Sequence, residues 1–109
     1  MSTDRELLEA AALAAGISIY FDGVGQCCKR VPDEPLTTYL WNPIEDNYDA
    51  FALMVKLRMD VCRPHFGHDS VLVWSDADGD FIAEPHGADP YAATRRAIVR
   101  AAAAIGGAP

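Results

Sequence analysis

Several features that would define a function class are missing from this chain of 109 residues. No apolar run approaches the roughly 20 residues that a membrane-spanning helix needs, so we predict no contact with a membrane. Basic residues are few, nine Lys and Arg against sixteen Asp and Glu, and the net charge of −7 disfavours direct binding of nucleic acid. The chain begins Met-Ser-Thr-Asp, with an acidic residue where a signal peptide needs positive charge. We therefore expect a protein of the cytoplasm.

Cysteine is also scarce, and its spacing argues against a metal site. Three cysteines cannot form a complete disulfide framework, and Cys27 and Cys28 are neighbours that cannot easily chelate one ion together. His65 and His68 form an H-x-x-H pair, one residue shorter than the usual histidine spacing of zinc sites. The DADGD run at residues 76–80 resembles the opening of a calcium loop, but its glycine is fourth rather than sixth. We predict no metal and no cofactor, and a hairpin turn at residues 76–80.

Motifs of known enzymes are absent as well. The chain has no Gly-rich phosphate loop, no G-x-S-x-G and no kinase or dinucleotide-binding signature. Cys27 or Cys28 could serve as a nucleophile, because Lys29 and Arg30 would lower a thiol pKa, but a positioned base would also be required. His65, His68 or His86 could supply this base, but nothing in the sequence shows that any of them lies near a cysteine, and we predict that the protein is not an enzyme.

Half of the residues are hydrophobic, and the chain is long enough for one domain, residues 1–109. Thr3 and Glu6 form a capping box before a helix that ends at Gly16, and residues 46–57 have helical periodicity. Asp89 and Pro90 begin a third helix, which runs through an alanine-rich stretch, and Gly106 is expected to end it in the left-handed conformation. Residues 17–21, 37–41, 60–63, 70–74 and 81–84 are predicted strands.

The element order, helix–strands–helix–strands–helix, favours an α+β fold in which helices cover a mostly antiparallel sheet. Each element has an apolar side that should face the core. On this basis we predict a set of buried side chains: Leu8, Ile19, Phe51, Val55, Leu72, Trp74, Ile98 and Ile105. In the second helix, the predicted buried side is the one that carries Tyr48, Phe51, Ala52 and Val55.

Two motifs carry a resemblance to a known family. WNPIED at residues 41–46, followed by DAFALMVKL at residues 49–57, and DPYAATRRAIVR at residues 89–100 resemble the phage ABA sandwich domain. Residues 24–38 match poorly, and no role is predicted for Cys27, Cys28 or this segment. The resemblance implies a small protein of a bacteriophage or prophage with a three-layer helix–sheet–helix sandwich. It brings no activity, because the family has none established.

Charge is distributed unevenly, and this suggests two candidate sites. Residues 45–89 hold ten acidic residues against three basic ones, a surface that could attract a basic partner. The candidate partner-binding residues are Glu45, Asp46, Asp76, Asp78 and Asp80. Arg95, Arg96 and Arg100 form a basic ridge on the last helix that could bind phosphate or carboxylate.

Two functions follow from these candidate sites. The first is a non-catalytic protein that binds a host protein in the host-cell cytoplasm, for example as an anti-defence inhibitor of a nucleic-acid-binding complex such as a CRISPR complex. The alternative is a small-molecule or nucleotide-binding protein, a sponge, that uses the arginine ridge. The sequence leaves the oligomeric state open.

Overall fold

Capping residues set the starts of the helices in the computed structural model, which describes residues 3–62, 69–75, 79 and 81–107. The Thr3 hydroxyl accepts a hydrogen bond from the Glu6 backbone N–H, and the Glu6 carboxylate accepts one from the Thr3 N–H, so the predicted capping box is confirmed. Asp89 likewise accepts hydrogen bonds from the N–H groups of Tyr91 and Ala92. These side chains satisfy donors that the helix leaves unpaired.

The described part of the chain contains three helices and six strands. The helices are α1 (Asp4–Ala15), α2 (Asn47–Lys56) and α3 (Pro90–Ile105). The strands are β1 (Ile19–Phe21), β2 (Cys27–Lys29), β3 (Tyr39–Leu40), β4 (Met59–Cys62), β5 (Ser70–Ser75) and β6 (Phe81–Pro85). None of the helices in these residues is long and apolar enough to cross a membrane.

The strands form two antiparallel sheets of three strands each. One has the order β1-β2-β3, with Tyr20 opposite Cys28, and the other has the order β4-β5-β6, with Val73 opposite Ile82. The α+β class and the antiparallel strands are thereby confirmed. The strands are divided between two sheets, whereas we expected a single one.

Helix α3 is the centre of the molecule, with α1 on one side and the second sheet on another. Its buried side is rich in alanine, as is that of α1, and small side chains allow the two helices to approach closely. The approach is close at Gly106, where an added Cβ atom would lie 2.0 Å from the carbonyl oxygen of Ala10. Gly106 has a φ of −77°, so the predicted left-handed end of the helix at this residue is wrong. Glycine is required there by the approach of the α1 backbone.

The predicted core is partly correct. Leu8 and Ile98 are buried, whereas Ile19 and Ile105 are only half-buried. In β5 the alternation places Val71 and Val73 inward, which leaves the predicted Leu72 and Trp74 half-buried on the opposite side. Both sides of this strand are apolar, so alternation alone does not distinguish the inner side.

The prediction for α2 is wrong in its orientation. Phe51 and Val55 are 59% and 58% exposed, while Ala50 and Leu53 are buried. Ala50, Leu53, Met54 and Leu57 repeat at helical spacing and form a second apolar stripe, and this stripe faces α3 and β4. The stripe that we predicted to be internal therefore lies on the surface.

Candidate functional site

Four large apolar or aromatic side chains are exposed where α2 and α3 lie side by side. Tyr48, Phe51 and Val55 follow one another along α2 and are 76%, 59% and 58% exposed, and Tyr91 at the start of α3 is 71% exposed. We call these four residues the α2–α3 surface. Phe51 and Tyr91 also border a groove of about 440 Å³ whose lining includes Met54, Val61 and Ile98. The groove and its rim form a predominantly apolar surface.

The chain before α2 is fixed by hydrogen bonds, and this determines how α2 lies against α3. The Arg95 guanidinium donates from Nε to the Ile44 carbonyl oxygen at 2.8 Å and from Nη1 to Asn47 Oδ1 at 2.7 Å. Asp49 Oδ2 accepts from the Asn42 backbone N–H at 3.0 Å. The groove is therefore held by polar contacts at one end while its walls remain apolar.

The structure describes two of the five acidic candidate residues. Glu45 and Asp46 are exposed at the end of α2 where Tyr48 lies. Asp46 is also the N-cap of α2, and its carboxylate accepts a hydrogen bond from the Asp49 N–H at 2.9 Å. Asp76, Asp78 and Asp80 lie outside the described residues. Of the predicted hairpin turn the structure describes Gly79, whose backbone N–H donates to the Ser75 carbonyl oxygen at 2.9 Å, and the strands on either side of it, β5 and β6, pair antiparallel as predicted.

The arginine ridge is engaged in contacts within the chain. Arg95 holds the segment before α2, as described above, and Arg96 pairs with Asp4 at 3.1 Å. Arg100 donates from Nη1 to the Glu84 carboxylate at 2.5 Å and to the Ala83 carbonyl oxygen at 3.1 Å. All three arginines therefore link α3 to other elements, and carboxylates compensate the charges of Arg96 and Arg100.

The structure describes all three cysteines but only one of the three histidines, His86. Cys27 and Cys28 are buried and Cys62 is exposed, and within residues 3–62, 69–75, 79 and 81–107 no three His, Cys, Asp or Glu side chains are placed to hold a metal ion. His65 and His68 are not among these residues. Burial, followed by the proximity of Cys28, raises the pKa of the Cys27 thiol to about 11. A thiol with this pKa is almost wholly protonated near neutral pH and is a weak nucleophile.

The cysteines should therefore react selectively with a thiol reagent. In the folded protein at neutral pH we expect Cys62 to be labelled rapidly by a maleimide, and Cys27 and Cys28 to be labelled only after denaturation. Peptide mass spectrometry of the labelled protein measures this directly. Rapid labelling of Cys27 in the folded protein would contradict the burial described here and would revive the nucleophile hypothesis.

Sequence reasoning did not find the α2–α3 surface, although the signal was present. Residues 47–57 carry two apolar stripes, and a helix needs only one to pack against a core. The second apolar stripe was the feature of the sequence that indicated an exposed apolar surface.

Comparison of the chain with family models, with curated proteins and with solved structures finds no match in any of the three. The resemblance to the phage ABA sandwich domain remains a prediction from the two motifs.

Proposed function

We propose that this protein is a non-catalytic binding protein that engages a host protein through the α2–α3 surface. The observation that carries the proposal is the exposure of Tyr48, Phe51 and Val55 on a helix that also buries Ala50 and Leu53. A helix that is hydrophobic on both sides is normally buried on both sides. Contiguous apolar surface on a soluble domain marks a place where another molecule binds.

Charge at the Tyr48 end of this surface supports a basic partner. Glu45 and Asp46 lie at one end of it, and the chain as a whole has a net charge of −7. Opposite charge at the rim of an interface accelerates association and excludes partners of the same sign. The partner that fits best is a protein surface with an apolar ridge flanked by Lys or Arg.

Nucleic-acid-binding proteins have basic surfaces of this kind. The resemblance to a phage family supports a partner in the cytoplasm of the infected cell, and an anti-defence role against a nucleic-acid-binding complex is consistent with the acidic surface. An exposed aromatic pair such as Phe51 and Tyr91 would supply the anchors, because aromatic side chains contribute much of the binding energy in protein interfaces.

The experiment compares capture of host proteins by matched serine variants. Phe51→Ser removes an anchor from the α2–α3 surface. Leu13→Ser removes an apolar side chain from α1 that is even more exposed, 72% against 59% for Phe51. We expect the wild type and Leu13→Ser to capture the same basic protein and Phe51→Ser to lose it. Equal capture by both variants would contradict the proposal.

Two further arms sharpen this experiment. Glu45→Lys should reduce capture in the way that added salt does, because exposed charges are screened by salt. Asp46 is unsuitable for the same test, since its substitution would also remove the N-cap of α2. Light scattering of the purified protein tests the competing occupant, a second copy of the chain. A stable dimer that Phe51→Ser dissociates would overturn the proposal of a host partner.

A further inference from the structure

A second cleft lies on the β1-β2-β3 sheet, between β1, β2 and the loop that follows β2. We propose that this cleft binds a phosphate group, free or carried by a small organic ester. It has a volume of about 390 Å³ and is lined by Tyr20, Lys29 and Arg30 together with loop residues that include Glu34, Thr37 and Thr38. The proposal is independent of the function proposed for the α2–α3 surface.

Lys29 and Arg30 each lie beside an aromatic ring. Arg30 donates from Nη1 to the Ile19 carbonyl oxygen at 2.9 Å, and its guanidinium lies 4.8 Å from the centre of the Tyr20 ring. The Lys29 ammonium lies 5.9 Å from the centre of the Tyr39 ring. Among the residues that the structure describes, neither cation has a carboxylate within ion-pair distance, in contrast to Arg96 and Arg100.

The lining of this cleft includes two cations, although the chain as a whole is acidic. Lys29 and Arg30 are adjacent in the chain, Arg30 on the Tyr20 side of the sheet and Lys29 on the Tyr39 side, and together they create a local positive potential at this end of β2. Aromatic faces orient both cations and leave donor atoms available, because a ring face accepts no proton in a conventional hydrogen bond. Arg and Lys are the side chains that most often bind phosphate, the first through its planar fork and the second as a point charge.

Neutral and acidic groups of the loop define the rest of the cleft. The Thr38 hydroxyl lies 3.2 Å from the Tyr20 hydroxyl, and Thr37 contributes a second hydroxyl to the lining. Glu34 is the opposing charge, and its carboxylate accepts a hydrogen bond of 2.5 Å from the Tyr39 hydroxyl. This bond raises the pKa of Tyr39, so the phenol stays protonated and holds the carboxylate.

The volume limits the ligand to a small molecule. Clefts of roughly 300–1,000 Å³ are typical for small-molecule sites, and this one is near the lower end of that range. It has room for a phosphate and one modest organic group. A carboxylate would use fewer of the available donors, because it has two oxygens where a phosphate presents three.

Binding can be tested by calorimetry with adenosine monophosphate, inorganic phosphate and uncharged adenosine. We expect both phosphates to bind and adenosine not to bind. Lys29→Gln and Arg30→Gln should each weaken binding roughly tenfold, as loss of a charged hydrogen bond to phosphate usually does. Lys56→Gln is the matched control, since Lys56 is an exposed cation outside the cleft, and it should leave binding unchanged.

Glu34→Gln distinguishes a true site from damage to the fold, because it should strengthen binding several-fold by removing the opposing charge. Tighter binding of adenosine monophosphate than of inorganic phosphate would identify an ester as the ligand, and equal binding would identify phosphate itself. The proposal is overturned if neither phosphate binds at millimolar concentration. It is equally overturned if binding persists unchanged in Lys29→Gln and Arg30→Gln. Neither result affects the α2–α3 surface.

Discussion

Replacing Gly106 with alanine is expected to lower the free energy of unfolding by at least about 3 kcal/mol, the upper end of the usual cost of overpacking. The added Cβ atom would lie 2.0 Å from the carbonyl oxygen of Ala10. Neither atom can rotate away, because the oxygen belongs to the backbone and the Cβ is bonded directly to it. Helices α1 and α3 would have to separate along a contact that both build from small side chains. Thermal unfolding measures the effect, a fall in Tm of roughly 10 °C or more.

Gly23→Ala is the matched control for this substitution. Gly23 has no atom within 4 Å of an added Cβ and no positive φ, so alanine should leave stability unchanged or raise it slightly. If Gly106→Ala melts within a degree of the wild type, α1 and α3 do not approach as closely as described.

The second large effect is expected at Leu53. Leu53 is 2% exposed, and Leu53→Ala should reduce the free energy of unfolding by about 2–5 kcal/mol, the usual cost of a large-to-small change in a core. Phe51 is two residues away on the same helix but is 59% exposed, so Phe51→Ala should cost less than about 1 kcal/mol. Urea unfolding of the two variants gives both values under the same conditions. A larger loss for Phe51→Ala than for Leu53→Ala would mean that α2 is oriented as the sequence pattern first indicated.

Local chemistry made the starts of α1 and α3 predictable. Thr3, Glu6 and Asp89 act through hydrogen bonds to backbone groups within three residues, so the sequence alone contains both partners. Strand β5 was predictable from its run of β-branched and aromatic residues, which is also a local property of the sequence. Gly106 was not, because the atom that requires glycine there belongs to Ala10, almost the whole chain away.

The orientation of α2 could not be derived from periodicity. The stripe of Phe51 and Val55 and the stripe of Ala50 and Leu53 are both apolar, and only the position of α3 decides which is buried. The same holds for β5, where Val71 and Val73 face inward in place of Leu72 and Trp74.

The charged residues of the candidate sites could be predicted from the sequence, but the contacts that these residues make could not. The arginine ridge was visible in the sequence, yet its partners Asp4 and Glu84 are distant from it along the chain. Asp46 was found as an acidic residue, and its structural role as an N-cap competes with a role in binding. The sequence related Lys29 and Arg30 only to the neighbouring cysteines. The cleft that they line could not be predicted, because the loop on its other side has no periodic pattern.

Hydroxyl-radical footprinting, read by mass spectrometry, tests the central claim that the α2–α3 surface is exposed in the free protein and covered by a partner. In the free protein we expect Tyr48, Phe51 and Tyr91 to be oxidised readily, while Trp41, intrinsically the more reactive ring but only 3% exposed, stays protected. Adding the basic protein that the wild type captures should protect Phe51 and Tyr91 and leave Leu13 unchanged. The account would be contradicted if Phe51 were as well protected from oxidation as Trp41 in the free monomer. It would also be contradicted if Phe51 were oxidised equally with and without that partner.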